Sequence, residues 1–202
     1  MGFVTTVMHY DMLAREGHDP VYDAPELQVH MDRWDGPAFL DALGLTLASD
    51  VLEIGVGTGR LAQRVLRRGC GSLTGIDLSK PTLEIAQKNL SAWSNVSYLW
   101  GDFCAFSFSC DYDIIYSSQA FFHIIGKNIA FDKAAGLLRP GGTFVLSIDK
   151  ERNDWLEYGD RNVPLYPDDS EETKTLILRA GLTLMQAFDT EAAHIFMAKK
   201  PQ

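Results

Sequence analysis

A chain of 202 residues, 46% hydrophobic and 22% charged, has the composition of an ordinary globular protein. At this size folding removes roughly 70% of the unfolded surface from water, so neither disulfides nor a structural metal is required. A formal charge of -9 argues against a nucleic-acid partner, whose phosphates are bound by clustered Lys and Arg. No run approaches the ~20 apolar residues of a membrane span, and the first residues lack a basic flank followed by an apolar core. The expectation is a single cytoplasmic domain over residues 1–202, without membrane contact, as a monomer or homodimer. Cys70, Cys104 and Cys110 form no C-x-x-C pair and leave one over, which suits reduced thiols.

In chain order, residues 1–45 read as a helical cap. Within it Pro37, Phe39, Leu40 and Leu43 suggest a helix that ends at Gly44. From about residue 49 onward, strand-like apolar runs alternate with helical patterns, the signature of a parallel sheet covered by helices. Asp50 to Ile54 is the first strand. In the helix that follows, Leu61, Val65 and Leu66 share one face and Gly69 makes the stop. Ser72 to Ile76 is the second strand, with Asp77 at its carboxyl end and a helix entered through Ser79 and Pro81. Val96 to Trp100 and Ile114 to Ser117 are the third and fourth strands. Asn128 to Leu138 is a helix, Thr143 to Ile148 a fifth strand, and Leu182 to Phe188 with His194 to Lys199 a closing hairpin. Residues 46–148 thus form the core, 171–202 close it, and the polar, aromatic stretch 149–170 reads as an irregular insertion on the substrate side.

The stretch VLEIGVGTGR, residues 51–60, places three glycines where a strand ends and a helix begins, the ligand-binding edge of an open parallel sheet. Glycine permits positive φ and leaves backbone N–H groups near the helix amino terminus able to donate. Such a turn occurs without a ligand as well. Asp77, at the end of the next strand, adds a carboxylate positioned to accept both hydroxyls of a ribose. Arg60 stands where a dinucleotide fingerprint requires its last glycine, and no phosphate-cradling G-x-x-x-x-G-K-[ST] loop is present. A nucleoside ligand without a pyrophosphate is therefore expected.

Those residues, with GIDLS at 75–79, WGDF at 100–103, DYDIIYSSQAFFHI at 112–125 and LLRPGGTFVLSI at 137–148, resemble in order and spacing the motifs of class I S-adenosylmethionine-dependent methyltransferases. The resemblance covers about residues 35 to 200. It implies an α/β, Rossmann-like three-layer sandwich with a seven-stranded, mostly parallel sheet whose last strand is antiparallel. It also implies that Glu53, Gly55, Gly57 and Gly59 surround the methionine part of S-adenosylmethionine, that Asp77 binds the ribose and that Leu78 packs on adenine. Asp102 and Phe103 then recognise the adenine edge and face, and Ser117 closes the site through its backbone; the product is S-adenosylhomocysteine.

A sulfonium donor needs no metal, and alignment of donor and acceptor supplies much of the rate. His9, His18, His30 and His194 lack zinc-ligand spacing, so no metal is expected. For a hydroxyl or protonated-amine acceptor a base is wanted, and His123 is the candidate; its alternative is to hold the loop. Tyr10, Tyr22 and Trp34 are candidates to cap the cofactor beside the acceptor, since aromatic faces suit a sulfonium cation. Trp155, Tyr158 and Tyr166 are candidates for the wall of an apolar acceptor pocket, because loops carry the variable part of a site. The expected function is methyl transfer to oxygen or nitrogen of a small molecule, with carbon open. The rivals are a cofactor-binding protein without methyl transfer and a nicotinamide-dependent oxidoreductase.

Overall fold

The computed structural model describes residues 2–202. Its main sheet has seven strands: β2 (Asp50–Ile54), β3 (Ser72–Asp77), β4 (Val96–Trp100), β5 (Tyr112–Ser118), β6 (Leu138–Asp149), β9 (Thr183–Asp189) and β10 (Ala193–Lys199). Their spatial order is β4-β3-β2-β5-β6-β10-β9. The pairs from β4 through β6 are parallel, whereas β10 runs antiparallel to both β6 and β9. This is the seven-stranded α/β sandwich with an antiparallel last strand that the motifs imply.

Alternation along the central strands builds two cores. Ile114 and Tyr116 point to one face of β5 and Ile115 to the other. On one face Phe39 and Leu43, Leu61 and Val65, and Leu83 are supplied by α3 (Pro37–Ala42) and the residue after it, α4 (Arg60–Arg68) and α5 (Lys80–Asn89). On the other, Phe131 and Ala134 of α6 (Lys127–Leu137) and Ile177 of α7 (Ser170–Arg179) pack on Leu52, Phe144 and Phe196. Full burial of each such Leu, Ile, Val or Phe contributes about 1.5–3 kcal/mol. Local rules set the ends: Gly69 closes α4 at φ +96°, and Ser79 Oγ accepts from Thr82 N–H at the start of α5.

Two departures from the sequence reading matter. Residues 2–42 include α1 (Thr6–Arg15) and α2 (Pro25–Asp35), but also open with a short strand, β1 (Gly2–Phe3). The stretch 149–170, expected to be irregular, contains a hairpin: β7 (Trp155–Tyr158) and β8 (Arg161–Pro164) turn through Gly159 at φ +60° and form a second sheet with β1. All four β7 residues are exposed, so the strand carries no alternation of apolar and polar positions. The Gly-Asp pair between Tyr158 and Arg161 is the local signal that marks it. Arg161 anchors this sheet on α1: its guanidinium donates to both Glu16 carboxylate oxygens at 2.6 and 2.7 Å, and its Nε donates to His9 Nδ1 at 3.1 Å. Among the described residues no helix is long and apolar enough to cross a membrane.

Candidate active site

A cavity of about 400 Å³ opens at the carboxyl ends of β2, β3, β4 and β5, and residues of the amino-terminal segment, Thr6, Tyr10, Pro20, Met31 and Asp35, form its roof. The three glycines after β2 have different reasons to be bare. At Gly55, φ +77°, a Cβ would stand 2.4 Å from that of Ala120, and at Gly59, φ +93°, it would crowd Leu90 at 3.0 Å. Packing within the protein excludes a side chain at Gly55 and crowds one at Gly59. At Gly57, φ +56°, a Cβ would meet nothing within 4 Å, and this residue lines the cavity. Four of the loop N–H groups expected to be free are engaged internally. Those of Gly55 and Val56 donate to Ile76 O, that of Gly59 to Val56 O, and that of Gly57 to Asp77 Oδ2 at 2.9 Å.

Asp77 lines the cavity at the end of β3 and also accepts from Ser79 N–H at 2.9 Å. Burial raises its pKa, and backbone donation from Ser79, Gly57 and Leu78 opposes that by favouring the carboxylate. Glu53 is buried in the cavity wall, where it accepts from the Tyr116 hydroxyl at 2.7 Å, and desolvation pushes its pKa up to about 8. Beside it lies the fully buried Asp35, held by both terminal nitrogens of Arg60 and by Ser118 Oγ at 2.9 Å. An ion pair removed from water this far persists because every partner is bonded. It ties the roof to the start of α4.

His123 lies in a single 3-10 turn, Phe121–His123, just after β5. Tyr10 Oη is 2.9 Å from its Nε2, and Thr6 Oγ1 is 3.5 Å from its Nδ1. A neutral imidazole has one donor and one acceptor, so the contacts are satisfied with Tyr10 donating to Nε2 and Nδ1–H facing Thr6. Burial lowers the His123 pKa to about 4, with lesser contributions from His9 and Lys127, and burial pushes the Tyr10 phenol well up.

Of the residues singled out in the sequence, Tyr10, Glu53, Gly55, Gly57, Asp77, Leu78, Asp102, Phe103 and His123 line this one cavity. Gly59 and Ser117 do not; Ser117 is buried behind it, its Oγ donating to Ile54 O at 2.9 Å. The remaining aromatics are not brought together there. Tyr22 is 77% exposed, Trp34 bonds Asp149 through its indole nitrogen, and Trp155 bonds Glu157 at 3.3 Å. Tyr158 packs edge-on against His9, and Tyr166 donates its backbone N–H to Phe122 O. The hairpin folds as its own sheet beside α1 and carries Trp155 and Tyr158 with it. The sequence reading missed Gln119, Ile125 and Ile129, which line it instead. Gln119 is the one non-glycine residue at positive φ, +55°, among the described residues, and its buried Nε2 has no hydrogen-bond partner.

Residues 51–142 match the sequence model of a family described as the methyltransferase domain. An uncharacterized methyltransferase of Bacillus cereus is 37% identical over 100 residues, 48% of this chain and 46% of that one. The match thus spans about half the length of that curated relative. Among solved structures, the N-methyltransferase NodS of Bradyrhizobium japonicum WM9, in complex with S-adenosyl-L-homocysteine, superposes with a TM-score of 0.70 at 21% identity, covering 96% of this chain and 98% of that one. The 1,6-didemethyltoxoflavin-N1-methyltransferase of Burkholderia thailandensis gives 0.72 at 20% identity, covering 96% and 87%. Sequence over the core and fold over the chain agree on the class I methyltransferase scaffold.

Proposed function

We propose that this chain, whose residues 51–142 form a class I methyltransferase domain, uses S-adenosylmethionine to methylate an oxygen or nitrogen of a small-molecule acceptor, with carbon acceptors in the same class of reading. The observation that carries the proposal is the cavity itself. It combines the Asp77 carboxylate with an open approach at Gly57, in a volume within the roughly 300–1,000 Å³ typical of small-ligand sites.

The residues present fit that cofactor. Asp77 would accept the ribose hydroxyls, Leu78, Asp102 and Phe103 would bound the adenine, and Gly57 and Glu53 would lie beside the methionine part. With Asp35 paired to Arg60 and Glu53 protonated below about pH 8, the wall keeps Asp77 and Asp102 as its acidic groups, which suits a cationic ligand. When bound, S-adenosylmethionine supplies an electrophilic methyl group that leaves a neutral thioether behind. The protein's part is alignment and exclusion of water: Tyr10 and Thr6 roof the cavity while His123, engaged at both ring nitrogens, holds them there. The Tyr10 hydroxyl on Nε2 is the relay open to an acceptor's proton, and burial, which holds the His123 pKa to about 4, makes that imidazole a weak base and favours its positioning role. Ile125 and Ile129, 75% and 53% exposed at the mouth, favour an acceptor with an apolar body.

The test is incubation with methyl-labelled S-adenosylmethionine and a panel of hydroxylated and aminated small molecules. Label in a product supports transfer. Tight cofactor binding with no label in any product favours a binding protein instead.

A further inference from the structure

We infer that the Gln119 side-chain amide donates to the α-carboxylate of the bound cofactor, so that this residue selects donors that keep the carboxylate; the inference rests on the S-adenosylmethionine reading above. The cavity wall is acidic, and a carboxylate entering it needs a donor. Arg60 is the one permanently cationic side chain among the described residues of the lining, and Asp35 holds both its terminal nitrogens. The N–H groups of Gly55, Val56, Gly57 and Gly59 all have partners inside the protein.

Among the described residues, two buried side-chain polar atoms of the lining have none: Thr58 Oγ1 and Gln119 Nε2. A hydroxyl turns its proton to suit its surroundings, whereas an amide N–H points where the side chain is aimed. Gln119 stands next to Ala120, the residue whose Cβ would meet one at Gly55, so it borders the part of the glycine turn assigned to the methionine end. Its backbone is left-handed, a conformation that non-glycine residues adopt sparingly and that concentrates at ligand sites. An orphaned buried donor and a strained backbone at one cavity residue are two separate marks of a built contact.

The experiment compares calorimetric affinities for S-adenosylmethionine and decarboxylated S-adenosylmethionine in the wild-type protein, Gln119→Ala and Gln119→Glu. A hydrogen bond to a charged group corresponds to about tenfold or more in affinity. Gln119→Ala is expected to weaken S-adenosylmethionine by that factor and leave the decarboxylated ligand within about twofold, the limit set for no specific effect. Gln119→Glu keeps length and shape but repels a carboxylate, so it is expected to weaken the first ligand and not the second. Equal losses on both ligands, or no loss on either, overturn the inference while leaving the cofactor reading intact. Binding of neither ligand by the wild-type protein removes the cofactor reading and this inference together.

Discussion

Tyr10 Oη lies 2.9 Å from His123 Nε2, which joins the amino-terminal helix to the turn after β5 across 113 residues of chain. This contact roofs the cavity, and burial keeps the imidazole neutral. Replacing Tyr10 by Phe removes a donor to the neutral ring, so the His123 pKa is expected to rise from about 4 toward the ordinary 6.5 while burial still holds it below that value. A proton-detected NMR titration of the imidazole reads the change. An unmoved pKa would mean that the hydroxyl does not bond Nε2.

Asp77 makes the most local prediction about the cofactor. Asp77→Ala removes the carboxylate assigned to the ribose and is expected to weaken S-adenosylhomocysteine binding by about 1.5–3 kcal/mol. Equal affinity in the variant and the wild type would sink the ribose assignment.

The glycines separate packing from ligand approach. Gly55→Ala forces a Cβ to 2.4 Å from Ala120 at positive φ, so its main effect is a large fall in melting temperature. Gly57→Ala carries only the backbone strain of about 1–2 kcal/mol, and its main effect is on cofactor affinity. Thermal melting and titration of both variants check this. A Gly57→Ala protein less stable than Gly55→Ala contradicts the assignment.

Buried Glu53 sets a pH dependence with a defined sign. Its folded pKa of about 8 stands above the ordinary 4.5, so between these values the folded state binds more protons than the unfolded state, and stability falls as pH rises. Glu53→Gln is expected to remove that alkaline loss. His123 acts on the other side: its folded pKa of about 4 lies below 6.5, so stability falls as pH drops through that window. Melting curves against pH for the wild type, Glu53→Gln and His123→Gln test both. An unchanged alkaline slope in Glu53→Gln would show that the carboxyl is already ionised in the fold.

Much of the scaffold is legible in the sequence because its signals are local. The apolar runs at 50–54 and 72–76, the stop at Gly69 and the carboxylate at Asp77 each depend on neighbours a few residues away. What is not legible depends on distant partners. The bareness of Gly55 is explained by Ala120, the charge of Arg60 by Asp35, and the role of His123 by Tyr10 and Thr6. Trp155, Tyr158 and Tyr166 were expected at the cavity, but their placement follows from how Arg161 docks the hairpin on His9 and Glu16, 152 and 145 residues away. No periodicity within 149–170 encodes that docking.

The central claim is that the cavity between Gly57 and Asp77 takes S-adenosylmethionine. Parallel calorimetric titrations of the purified protein with S-adenosylmethionine, S-adenosylhomocysteine and NADH test it most directly. The account predicts micromolar binding of the first two and none of NADH; binding of NADH alone, or of none of the three, would contradict it.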